Sequence, residues 1–141
     1  GRRFARFVNG WVDAAVSPPL AAAIIPDVYD VVDPADRDYF RGSRERRFGK
    51  PLAALRAEQA AHLARLRTAL APARAMLAED AFLAGPAPRY PDFALFGTLQ
   101  WARCSSPAAV LEGDDPVAAW FERMLDLYDA AGRSAPARAA A

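Results

Sequence analysis

Apolar residues recur along the first part of the chain with a helical period. Phe4, Phe7, Val8, Trp11, Val12, Ala15 and Val16 stand at steps of three and four, the spacing that places side chains on one face of an α-helix. Pro18 and Pro19 follow at once, and since neither has a backbone N–H the pattern predicts a break or kink there. A second helical piece is predicted at about 20–32 from Leu20, Ile24, Ile25, Val28 and Val31. Asp33-Pro34-Ala35-Asp36 reads as a new helix start, with Asp33 as cap, Pro34 in the first turn and Asp36 near the positive end. This short helix carries Tyr39 and Phe40 and is expected to stop near Gly42.

A longer stripe begins after Pro51: Leu52, Leu55, Gln59, Leu63, Leu66, Leu70, Ala73 and Leu77, with a kink predicted at Pro72. Gly85, Pro86 and Pro88 mark a loop. The segment 91–103 is apolar on several sides through Phe93, Leu95, Phe96, Leu99 and Trp101, and is expected to be the central, buried helix. Asp115 and Pro116 start the last helix, whose inner stripe reads Val117, Trp120, Phe121, Met124, Leu125 and Tyr128, and Gly132 is expected to end it. No segment has the alternation of a strand, and there is no internal repeat. The expectation is an all-α bundle of about five helices over residues 1–132, with a frayed tail at 133–141.

Composition supports that class. Of 141 residues 34 are Ala, and the β-branched residues are few, a balance that favours helix over strand. The 53% apolar fraction is enough for a packed core, which excludes wholesale disorder. A net charge of +1 argues against a protein built to coat nucleic acid. No run reads as a membrane span of about 20 apolar residues, and the Arg-rich start lacks an export signal, so the expectation is a cytoplasmic protein with no membrane partner. A lone Cys104 forms no intrachain disulfide, in keeping with a reducing compartment.

Chemistry-bearing motifs are sparse. With one Cys and one His there is no zinc site of the usual ligands, and no metal is expected. There is no phosphate-binding glycine loop. His62 falls among Ala and Leu and reads as a surface or partly packed histidine; Cys104 stands at a helix end, where the helix does not activate a thiol. A basic knot at 41–50 carries five cations against Glu45 and could grip a phosphate or carboxylate. Its simpler reading is a solvated, acid-paired turn, offset by Glu112, Asp114, Asp115, Glu122, Asp126 and Asp129 of the last helix.

One stretch is more specific. Phe82-Leu83-Ala84-Gly85, then Tyr90-Pro91-Asp92-Phe93-Ala94-Leu95-Phe96-Gly97 and Leu99-Gln100-Trp101-Ala102-Arg103, resembles the C-terminal helical domain of cytosolic glutathione transferases, and the likeness continues from Asp115 to Tyr128. Residues 25–30 (IPDVYD) and 43–49 (SRERRFG) look like the bacterial branch that includes β-aryl-ether-cleaving etherases. The resemblance covers about 2–132. It implies that Asp92 is the family's buried helix-cap aspartate, and an Asp beside Pro91 at a helix start suits that task. The family's Ser or Thr three residues earlier is Arg89 here, so half of the reciprocal cap is missing.

The resemblance further implies a thioredoxin-like domain ahead of this one, which binds glutathione and supplies the activating residue. No such segment lies within these residues, so no catalytic residue is expected in the chain. What the resemblance leaves to it is one wall of a pocket for a hydrophobic aromatic substrate, with Phe7, Trp11 and Ala15 on the first helix and Trp101 and Arg103 on the 91–103 helix. It also implies homodimer contacts through the first two long helices. For the wall residues the plainer reading is core packing: Trp101 and Trp120 read as core first, while Trp11 fits either reading equally. Two other classes compete: a non-enzymatic helical interaction module whose 4–16 stripe is a binding surface, and nucleic-acid binding through 41–50, which needs a wider basic face than the charge provides.

Overall fold

The computed structural model of the chain describes residues 1–139. Among these residues there are seven helices and no sheet; Phe82 and Gly85 form one isolated bridge within the predicted loop. Helix α1 spans Arg2–Val31. Then come α2 (Arg37–Phe48), α3 (Leu52–Ala57), α4 (Gln59–Ala69), α5 (Ala71–Leu77), α6 (Tyr90–Ser105) and α7 (Pro116–Ser134).

The two pieces expected on either side of Pro18 are one helix. A π-helical turn at Val12–Val16 precedes the prolines, and the Ser17 N–H reaches back five residues to the Val12 carbonyl. The prolines then lie in the first turn of the resumed α-helix, where their missing donors cost least. The 51–77 stretch divides into α3, α4 and α5. The break at Leu70 places Pro72 in the first turn of α5; the break at Glu58, which the pattern did not signal, has φ −94° and ψ 6°. These divisions make seven helices where about five were expected.

Gly42 does not stop α2. A helical glycine costs only about 1 kcal/mol relative to alanine, and the chain continues to Gly49, whose left-handed φ of 70° ends the helix with its N–H on the Glu45 carbonyl. The start is also later than expected: Asp33 Oδ1 accepts from the Ala35 N–H in a turn, and α2 begins at Arg37. The basic knot is therefore mostly helical. Arg41 pairs with Asp38, while Arg44 and Arg47 lie over the rings of Phe40 and Phe48. The acids of α7 and the loop before it bind elsewhere: Glu122 and Asp126 to Arg133, Asp115 to Arg74, Glu112 to Arg67.

The helix at the centre is α1 rather than α6. It packs against α2, α3, α4 and α6, and its residues Ala22 to Asp27 are buried without interruption. Three alanines at 21–23 let neighbours approach from several sides. Helix α1 is also long and apolar enough to cross a membrane by length and composition, contrary to the sequence expectation. In this fold, however, Val12, Val16, Leu20, Ala23 and Ile24 form the main core with Leu63, Leu66, Leu70, Leu95, Leu99 and Trp120. Helix α6 buries only one face, through Leu95, Leu99 and Ala102, and leaves Phe93 and Trp101 exposed.

The end of α7 departs further from the pattern. Leu127 is extended and Tyr128, Asp129 and Ala130 are left-handed, so Tyr128 leaves the inner stripe and lies exposed, stacked on Phe93. Left-handed backbone costs roughly 1–2 kcal/mol per non-glycine residue. Anchors on either side oppose that strain: Arg133 bonds Asp126 and Glu122, and Gln100 Nε2 donates to the Gly132 carbonyl. Gly132 serves close approach, not termination. A Cβ there would lie 3.1 Å from Leu125 Cα and Phe96 Cζ. The tail expected to fray is bonded over its described part: Arg103 Nη1 donates to the Ala135 carbonyl, and the Arg138 N–H donates to the Arg103 carbonyl. Residues 140–141 lie outside the described residues.

Candidate functional site

Asp92, singled out by sequence, joins three parts of the fold. It is fully buried in the first turn of α6, with Arg89 as the N-cap. Its Oδ2 accepts from the Arg89 N–H at 3.0 Å; its Oδ1 accepts from the Leu83 N–H at 2.8 Å and from Trp120 Nε1 at 2.9 Å. An arginine side chain has no acceptor, so Arg89 cannot return the bond as Ser or Thr would. The carboxylate thus ties the 82–85 turn, the start of α6 and the middle of α7 together.

The five residues assigned to a substrate wall do not converge on one cavity. Phe7 projects from α1 and is 68% exposed. Trp11 is half-buried against the core and donates from Nε1 to the Ala69 carbonyl at 3.1 Å. Ala15 lines a cavity of about 390 Å³ on another side of α1. Trp101 is 41% exposed and so is not a core residue, whereas Trp120 is completely buried. Arg103 lines a larger cavity, about 510 Å³, between the end of α6, the 106–113 loop, α7 and the tail.

Exposed aromatics stand at the N-terminal ends of α1 and α6. Phe4, Phe7, Tyr90 and Phe93 are all exposed, and Asn9 Nδ2 donates to the Tyr90 hydroxyl at 3.0 Å across the two helices. A cavity of about 450 Å³ at these helix ends is lined by Arg2, Phe4, Ala84, Arg89, Tyr90 and Pro91, with Phe7 and Phe93 outside its lining. A cluster of exposed aromatic side chains is a surface suited to an apolar partner or ligand.

Sequence reasoning missed one buried polar node and the partner of another. Asp27 accepts at Oδ2 from Gln59 Nε2 at 3.0 Å and Ser106 Oγ at 2.6 Å, and at Oδ1 from Arg56 Nη1 at 3.3 Å. Arg56 also bonds both oxygens of Asp30, and Arg138 donates to the Asp27 carbonyl. The available signal was two carboxylates three residues apart on an otherwise apolar helix. The second is Asp115: it caps α7 as the sequence implied, accepting from the Val117 N–H at 2.9 Å, and it also takes a forked bond from Arg74, which the sequence did not signal. Burial alone would raise this carboxyl, but Arg74, the Val117 N–H and Arg67 outweigh it and hold the group below its ordinary value.

His62 is buried, 4% exposed, rather than on the surface. Burial lowers its pKa below the ordinary histidine value, Arg65 adds to that, and Glu58 opposes it. Glu58 is in turn held low by its hydrogen bond to Lys50, against burial. Cys104 is a half-buried free thiol. Among the described residues no group of His, Cys, Asp and Glu side chains comes together that could hold a metal ion.

The family model described as the glutathione S-transferase C-terminal domain matches residues 4–127. That span runs from the exposed aromatic Phe4 to the last regular turn of α7 and includes the Asp92 node. In glutathione transferases such a domain is generally paired with an N-terminal thioredoxin-fold domain. The helical bundle, the Asp92-centred connection of its parts and the match over most of its length agree: the chain belongs to the glutathione S-transferase C-terminal domain family.

Proposed function

We propose that this chain is the helical half of a glutathione-transferase-like enzyme. It presents an apolar wall to a hydrophobic electrophile while a thioredoxin-like N-terminal domain binds glutathione. The supporting observation is the cavity lined by the exposed Phe4 and Tyr90 at the ends of α1 and α6, with the exposed Phe7 and Phe93 one turn further along the same helices. An aromatic surface of this kind offers ring-stacking and dispersion contacts to an aromatic substrate and a seat for a second domain. No residue described above is assigned to glutathione itself. The reaction class is conjugation or ether cleavage, the latter by the likeness of residues 25–30 and 43–49 to the etherase branch. In this structure those residues include Asp27 and Asp30, which hold Arg56, so part of that likeness concerns packing. Homodimer contacts through α1 and α3–α5, and a cytosolic setting, belong to the same reading.

The test is association. The thioredoxin-like domain expected in the parent reading frame is produced separately and titrated with this chain by calorimetry. Saturable 1:1 binding that Phe7→Asp weakens at least tenfold supports the reading. Absence of binding, or binding indifferent to Phe7→Asp, favours a helical interaction module that uses the face for another partner.

A further inference from the structure

Near its end α7 holds three consecutive left-handed residues that are not glycine: Tyr128, Asp129 and Ala130, with φ of 53°, 56° and 59°. Such backbone persists only where the surroundings impose it. The sequence itself does not ask for the bend. Continued as an α-helix, the segment returns Tyr128 to the stripe of Phe121, Met124 and Leu125, at steps of seven, four and three. It also sets Asp129 four residues before Arg133, the favourable order for a helical acid–base pair. The bent backbone carries Arg133 back to Asp126 and Glu122 instead. The 11 residues from Glu122 to Arg133 span about 16 Å along a helix, more than the two side chains can bridge, so the Glu122 pair exists only in the bent form. Arg133 thus has two alternative sets of partners, one for each backbone.

What holds the bend is polar. Gln100 Nε2 donates to the Gly132 carbonyl, Arg103 Nη1 to the Ala135 carbonyl and the Arg138 N–H to the Arg103 carbonyl. Arg138 Nη1 donates to the carbonyls of Ser105 and Asp27. No residue from Ala131 to Ala139 is buried. A segment held by surface polar contacts without apolar burial belongs to the least stable part of a fold. Ala137 and Arg138 of this segment form one wall of the cavity of about 510 Å³, which is also lined by Leu99, Leu111 and Phe121.

We propose that residues 127–139 are a two-state strap over that cavity. The closed state is the bent one, latched by Arg133 on Glu122 and Asp126. In the open state α7 runs on straight through the hinge at 127–130. Opening relieves the left-handed backbone, pairs Arg133 with Asp129, takes Tyr128 off the Phe93 ring and removes one wall of the cavity. The strap stands at the far end of α6 from the aromatic face and does not depend on the two-domain reading.

Double electron–electron resonance tests it on a Cys104→Ser chain spin-labelled at Pro116→Cys and Ser134→Cys. The labelled positions stand about 27 Å apart along a continued helix. They are several ångströms closer in the closed state, where a Cβ on Gly132 would lie 3.1 Å from Leu125 Cα. The expected result is a short distance at low salt and a narrow component at the helical distance that grows at least threefold in about 1 M NaCl, which screens the latch. Glu122→Gln with Asp126→Asn, which cuts the latch and spares Asp129, should raise the long component at least threefold. Asp129→Gly, which tolerates the left-handed hinge and removes the helical partner of Arg133, should lower it at least threefold. A single short distance unmoved by salt and by the variants would overturn the proposal. So would a long component spread broadly instead of centred on the helical distance, since that is fraying and not a second state. The salt titration needs neither latch nor hinge variant and stands if one fails to fold.

Discussion

Replacing Asp92 with alanine removes one buried carboxylate and strands three donors at once. The Leu83 and Arg89 N–H groups and the Trp120 indole N–H all end on its two oxygens at 2.8–3.0 Å, with no exposure to water at the carboxylate. Leaving a buried donor unsatisfied costs about 1–3 kcal/mol each. Some relaxation of the 82–85 turn would let water reach Leu83, so the sum is less than three full penalties. The expected loss is about 3–5 kcal/mol, a large part of the roughly 5–15 kcal/mol that holds a domain folded. Asp92→Asn keeps one oxygen for Leu83 and Trp120 but turns its NH₂ toward the Arg89 N–H, so about half of that loss is expected. Urea denaturation followed by Trp fluorescence and circular dichroism gives the values. A double-mutant cycle with Trp120→Phe isolates the indole bond, with an expected coupling of about 1–2 kcal/mol. An alanine variant within about 0.5 kcal/mol of wild type, the range of an ordinary surface change, would refute the reasoning.

Arg74→Met leaves the Asp115 carboxylate, whose side chain is 5% exposed, with only the Val117 N–H and the field of Arg67; a loss of about 3 kcal/mol is expected by urea denaturation. Asp115 is held below its ordinary value when folded, so its contribution is complete above the unfolded carboxyl pKa and disappears as pH falls through the folded one. His62 is also lowered on folding, so the unfolded chain takes up the proton first and stability declines as pH falls below about 6.5. His62→Gln should flatten the stability profile between about pH 5 and 7, and an unchanged slope would mean another group titrates there. Gly49→Ala places a Cβ on backbone with φ 70° but meets no neighbour, so the expected cost is about 1 kcal/mol of strain by the same assay.

The helical stripes were legible because burial follows the 3.6-residue period: Leu52, Leu55, Leu63, Leu66, Leu70 and Ala73 are buried as their spacing implies. The Asp115 cap was legible for the same reason, since Asp before Pro at a helix start is a local signal. What escaped was decided by tertiary contact. Gly42 looked like a stop, but Gly49 with its left-handed φ and Pro51 two residues on carry the actual C-terminal signal. Pro18 and Pro19 looked like a break because a π turn before them is invisible to periodicity. Tyr128 matched the α7 stripe, yet the backbone leaves the helix one residue earlier. Segment 91–103 seemed central on composition, but enclosure depends on neighbours, and the small residues of α1 attract more of them. The aromatic face at Phe4 and Tyr90 joins residues far apart in the chain, as does the His62 cavity, and no single window of sequence holds either.

Under the proposed function this chain supplies a wall and no thiol-activating group. Turnover of glutathione with 1-chloro-2,4-dinitrobenzene, measured for the chain alone and again when joined to the thioredoxin-like domain of its parent reading frame, tests it most directly. The expected result is a rate at background for the chain alone and conjugation by the joined protein that falls when Phe7 is changed to Asp. Glutathione-dependent turnover by the isolated chain would contradict it.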